Sequence, residues 1–97
     1  MAYDPGAIDA TLAAAVGDEP ALIAELREAF LESVKRGLAV LECAEGDDAW
    51  RAAAFRLRGL AASFGAIRLM AIATEAAESE AHDAGLMRRL RRAVERL

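Results

Sequence analysis

His82, Cys43 and Ser63 carry the side chains of this sequence best suited to nucleophilic or acid–base chemistry, and none has an evident partner. His82, the only histidine, sits beside Asp83 in a turn-like stretch rather than on a patterned helix face. It is expected to be a solvated turn residue, the alternative being a phosphoryl acceptor through a ring nitrogen. Ser63 has no histidine or carboxylate evident to take its proton, so helix-end hydrogen bonding is the expected role. Cys43, the only cysteine, cannot form an internal disulfide and excludes a zinc cluster of several thiolates. It reads as a small core or boundary residue, against the alternative of a reactive thiol. Glu75, Glu78, Glu80 and Asp83 could surround a hard cation, yet an acidic cluster on one helix is ordinarily a solvated face. No catalytic constellation, metal site or cofactor is therefore expected.

A binding surface is easier to read. Over residues 49–64, at about 100° per residue, Trp50, Ala53, Ala54, Leu57, Leu60, Ala61 and Phe64 fall on one stripe. That stripe is a core face. Phe55 projects roughly 150° from its centre. Ala52, Gly59, Ala62 and Ser63 share the outer face with it, flanked by Arg51 and Arg58 on one side and Arg56 on the other. A solvated helix exterior normally carries Glu, Lys or Gln, whereas here a phenyl ring stands among residues with almost no side chain. Gly59 costs about 1 kcal/mol relative to alanine inside a helix, so something other than helix stability favours it. An apolar centre with a basic rim is the composition of a docking face. The bland alternatives are a lone surface phenylalanine, or one packed under a neighbouring helix.

The elements that must position this face are helices. Ala, Leu, Arg and Glu dominate, β-branched and aromatic residues are sparse, and only Pro5 and Pro20 interrupt the chain. A hydrophobic fraction of 56% over 97 residues suits one domain, 1–97, around a single core. A first helix is expected from about Pro5 to Val16, capped by Asp4 and ended by Gly17. The second opens near Asp18–Glu19–Pro20, carries the stripe Leu22, Leu26, Phe30, Val34, Leu38 and Leu41, and ends at Gly46. Asp47 or Asp48 would cap a third helix from about Ala49 to Phe64, broken by Gly65. A fourth runs to about His82, and after a turn at 83–85 a last spans Leu86 to Leu97. Connections this short predict an all-α, antiparallel, up-down four-helix bundle with a short additional N-terminal helix.

A net charge of −4 argues against a nucleic-acid binder that relies on phosphate neutralisation. The run Arg88, Arg89, Arg91, Arg92, Arg96 is a local exception. It is expected to pair with the acidic fourth helix, a nucleic-acid or anionic-membrane role being the alternative. No basic leader followed by an apolar segment opens the chain and no apolar run approaches spanning length, so a cytoplasmic protein is expected.

The third helix also resembles the signature of histidine-phosphotransfer (HPt) domains, in which histidine is followed by x-Leu-Lys-Gly and then by Gly-Ala. The string here is Phe55-Arg56-Leu57-Arg58-Gly59, followed by Gly65-Ala66. Leucine, both glycines and the alanine match in register, and Arg58 keeps the lysine's charge. Ala7-Ile8-Asp9, Gly17-Asp18, Phe30, Leu69, Glu75 and Glu78 extend the likeness over nearly the whole chain. The resemblance implies a helical bundle of a bacterial two-component phosphorelay that meets a response-regulator receiver domain or a histidine kinase. Phe55 then occupies the phosphoacceptor position, with Arg58 and Gly59 in supporting positions. A phenyl ring has no lone pair for phosphoryl transfer, so the family's activity does not carry over. The expectation is a non-enzymatic pseudo-phosphotransfer module, binding through Phe55, Arg51, Ala52, Arg56, Arg58, Gly59, Ala62 and Ser63. An active transfer protein is the alternative, using His82 or a native histidine where Phe55 stands. A monomer is expected; self-association through the same patch is a third reading.

Overall fold

The protein, described by a computed structural model over residues 5–17 and 19–97, is all-helical, with no strand among the described residues. α1 spans Pro5–Val16, α2 Pro20–Cys43, α3 Asp47–Ser63, α4 Ile67–Glu78 and α5 Ala84–Glu95. α2 packs against α1, α3 and α5; α3 packs most extensively against α4, and α4 against α5. α3 and α5 make no close backbone approach. The caps expected of Asp4 and the opening at Asp18 lie outside the described residues.

The apolar stripes bury as their spacing requires. Phe30, Val34, Leu38 and Leu41 of α2 are buried, with Leu22 and Leu26 half-buried above them. α3 contributes Trp50, Ala53, Ala54, Leu57 and Ala61, while Leu60 and Phe64 lie half-buried at the edge. Leu69, Ile72, Ala73, Ala76 and Ala77 of α4 and Leu86, Met87, Leu90 and Ala93 of α5 complete one cluster with Ile8 and Leu12 of α1. Alanines on both α3 and α4 let these two backbones approach closely. Phe30 and Phe64 pack ring on ring at 4.4 Å, joining α2 to the end of α3. No helix among the described residues is long and apolar enough to cross a membrane.

The helix ends differ from the expected ones for local reasons. α2 stops at Cys43, not Gly46, because Ala44 turns extended and donates its N–H back to the Leu41 carbonyl. Gly46, at φ +85°, belongs instead to the entry of α3. α3 has no side-chain cap: Asp47 and Asp48 lie inside its first turn, where negative charge meets the positive end of the helix dipole. α3 ends at Ser63, and the chain reverses through Gly65 at φ +72°. α4 stops at Glu78, four residues before His82. α5 starts at Ala84, two residues before the expected Leu86, because Asp83 caps it, accepting a bond from the Leu86 N–H at 2.9 Å.

The end of α4 receives a contact from α3. Trp50 is buried, and its indole Nε1 donates to the Ala76 carbonyl at 2.7 Å. That carbonyl also accepts the Ser79 N–H at 3.1 Å, a tight last turn rather than a continued helix. His82 follows in a left-handed conformation, φ +61°, unusual for a residue with a Cβ. Its ring lies 5.1 Å from the Trp50 ring, and its Nε2 donates to the Ala44 carbonyl at 2.6 Å. Although exposed, it is tied on both sides and ties three segments together. It is the exposed turn residue expected, with two contacts that its position in the sequence does not announce.

Charges stitch the outside. Arg89 grips Glu75 with two bonds, at 3.1 and 2.6 Å, joining α5 to α4. Arg91 reaches Glu42 on α2 instead, at 2.8 Å. Arg27 donates to the Leu97 carbonyl at 3.0 Å. The expected pairing of α5 with the acidic α4 thus holds for Glu75.

Two outcomes follow. Trp50→Phe keeps a ring but removes the buried donor, and denaturant melts should show a loss of about 1–3 kcal/mol. The Arg89 hydrogen bond holds the Glu75 carboxyl below its ordinary value of 4.5. Its stabilising contribution is therefore complete above that value and lost as pH falls through the lowered one. In carboxyl NMR titrations Glu75 should have its midpoint below 4.5, and Arg89→Ala should move it upward.

Candidate partner-binding face

α3 turns its core stripe inward because Trp50, Ala54 and Leu57 are buried, and the opposite side is thereby exposed to solvent. Phe55 is 48% exposed there, without cover from a neighbouring helix. Ala52, Gly59, Ala62 and Ser63 are exposed on the same helix, as are Arg51, Arg56 and Arg58. All the residues expected on this face are on the surface together.

Their electrostatics are uneven. Arg51 pairs with Asp48 one turn back at 3.2 Å, both side chains well exposed. Arg56 and Arg58 have no carboxylate partner among the described residues. Two guanidiniums beside an open phenyl ring remain available to an anionic surface. Ser63 donates its hydroxyl to the Gly59 carbonyl at 2.9 Å, the helix-end bond expected of it.

The glycines of α2 and α3 separate two uses of a missing side chain. A Cβ at Gly37 would touch Leu57 Cδ1 at 3.4 Å, so this glycine lets α2 and α3 approach. A Cβ at Gly59 would meet nothing within 4 Å. No packing inside the chain requires glycine there, and helix stability opposes it. The flat ground beside Phe55 serves no internal contact.

Other features emerge only in three dimensions. Val40 of α2, 52% exposed, borders a groove with Gly37 and Arg36, facing Ala53, Leu57 and Arg56 of α3. Arg56 thus stands between the groove and the Phe55 face, and no carboxylate lines the groove. Val40 lies one position off the stripe that ends in Leu38 and Leu41, a step that a helical projection could have revealed. Ile67, 67% exposed at the start of α4, has no comparable signal in the sequence.

The remaining candidate chemistry does not assemble. His82 spends its Nε2 on Ala44. Cys43 is exposed rather than a core or boundary residue. Among the described residues no group of three or more His, Cys, Asp or Glu could hold a metal ion. Comparison of the chain with protein-family models, with curated proteins and with solved structures returns no match.

Gly59→Ala should stabilise the isolated chain by up to about 1 kcal/mol, read as a raised denaturant midpoint. A loss of stability would mean that Gly59 serves the fold after all.

Proposed function

We propose that the chain is a non-catalytic pseudo-phosphotransfer module that docks a receiver or histidine-kinase domain of a two-component phosphorelay through the Phe55 face of α3. On this reading α2 to α5 form an antiparallel up-down four-helix bundle with α1 as a short leading helix. Connections of three residues, 44–46 and 64–66, leave no length for a parallel return and support it. The observation that carries the function is the outer face itself: an open phenyl ring, a glycine with no internal purpose and two unpaired guanidiniums.

The chemistry of that face favours binding over transfer. A phenyl ring offers no electron pair to phosphorus, and no neighbouring group can create one. Its area, about 150–250 Å² for an aromatic side chain, can be buried against a partner. Arg56 and Arg58 favour an acidic partner surface and would steer the encounter. The same charges oppose self-association. A symmetric pairing of two such faces would bring Arg51, Arg56 and Arg58 of both copies together, which favours a monomer. His82 is a poor substitute acceptor, since its ring lies against Trp50 and its Nε2 is committed.

Isolated receiver and histidine-kinase domains titrated with the chain should include a specific binder. Phe55→Ala should weaken it by about 2 kcal/mol or more, roughly thirtyfold, as for a central aromatic anchor. Gly59→Ala should weaken binding while raising stability, a pair of opposite signs that a folding defect cannot produce. Phe55→His should take up phosphate from a phosphorylated receiver if the relay geometry is retained. Binding that is indifferent to Phe55→Ala would remove the reading's main support.

A further inference from the structure

α5 presents a second cationic surface, on a helix that makes no close backbone approach to α3. Of its four arginines and Arg96 just beyond its end, Arg89 is held by Glu75 and Arg91 by Glu42. Arg88, Arg92 and Arg96 have no carboxylate partner among the described residues and are exposed. They recur at every fourth position, so they follow one side of the helix at intervals of about 6 Å. Like charges at that spacing repel one another. The helix dipole favours Arg92 and Arg96 near the C-terminal end, but it gives no reason for Arg88 near the start.

A depression lies between the end of α4 and α5, and Arg88 and Arg92 line it with Ser79, Glu75 and Asp83. Every other polar side chain named there already makes a hydrogen bond within the chain. Glu75 holds Arg89, Asp83 caps α5 through the Leu86 N–H, and the Ser79 hydroxyl donates to the Glu75 carbonyl. The concavity is therefore left with two uncommitted guanidiniums, and Arg96 continues their row beyond it.

We infer that this depression is a docking site for an acidic peptide segment of a partner protein, one carboxylate seated between Arg88 and Arg92 and the chain running on toward Arg96. Guanidiniums suit carboxylates because their paired N–H groups match two oxygens at once. The size of the ligand follows from the charge of the whole molecule. At physiological ionic strength charges are screened over about 8 Å. A short acidic segment on α5 is therefore governed by the arginine row. A DNA duplex or an anionic membrane spans much more of a chain whose net charge is −4 and is repelled by the rest of it. α5 also has no apolar face to insert into lipid, because Leu86, Met87, Leu90 and Ala93 are buried. With the Phe55 face on α3, the chain would then offer two separate docking surfaces.

Amide NMR spectra of the full chain, titrated with a capped deca-glutamate peptide, provide the test. Shifts should concentrate on residues 84–96 and Ser79. The double variant Arg88→Gln/Arg92→Gln should reduce them at least fivefold while keeping the helical circular dichroism and thermal melt of the parent. Arg56→Gln/Arg58→Gln should change them less than twofold. Parallel titrations with a ten-base-pair DNA duplex and with phosphatidylserine vesicles should give weaker effects. Peptide shifts that centre on α3, survive the α5 double variant, or are exceeded by DNA or vesicles would each overturn the inference.

Discussion

The buried indole of Trp50 is the contact on which the other parts depend. A large ring near the start of α3 fills the space beneath α4, and its single N–H has to find an acceptor there. It takes the Ala76 carbonyl, and that bond accompanies the early end of α4 and the turn that leads into α5. His82 closes over the same ring and reaches the Ala44 carbonyl, so the α2–α3 connection is tied to the α4–α5 turn through one aromatic pair. The left-handed backbone at His82 is held by these two contacts. Once Trp50 is inside, the rotation of α3 is set, and with it the direction in which Phe55 points.

The outer side of α3 runs against what stability alone would favour. A glycine occupies a helical position with room for a methyl group, and a phenyl ring is left half-exposed. Charged side chains beside it are only partly neutralised, Arg51 by Asp48 and Arg56 and Arg58 by nothing nearby. Each feature is ordinary by itself. Their coincidence within three helical turns is the observation on which the proposed docking role of this face rests.

Electrostatics divide the helices in a similar way. Glu75–Arg89 and Glu42–Arg91 tie α5 to its two neighbours, α4 and α2, through exposed pairs that are individually weak and sensitive to salt. Of the arginines left over, Arg88 and Arg92 line the depression beside the end of α4 without a carboxylate partner among the described residues. A helix needs only a few charges to stay solvated, and α5 carries more of one sign than its internal contacts use. The unpaired cations of α3 and α5 give an acidic chain two local fields opposite to its net charge.

Helical content, the buried stripes of α2 and α3 and the exposure of Phe55 were legible in the sequence, because a helix of known pitch sorts residues by angle without knowledge of its neighbours. Phe30, Val34, Leu57 and Ala61 went inward and Ala52, Phe55, Gly59 and Ala62 outward on that ground alone. Helix ends were less legible, since Gly46 and Gly65 signal a change of direction without saying which helix claims the residues beside them. The end of α4 at Glu78 coincides with a bond from Trp50, 26 positions away in the chain, which no local pattern encodes. The engagement of His82 and the exposure of Val40 and Ile67 were likewise decided in tertiary structure. The division has one physical cause: helical periodicity is a property of the backbone, whereas burial at a helix end and the partner of a polar group depend on which distant segment arrives there.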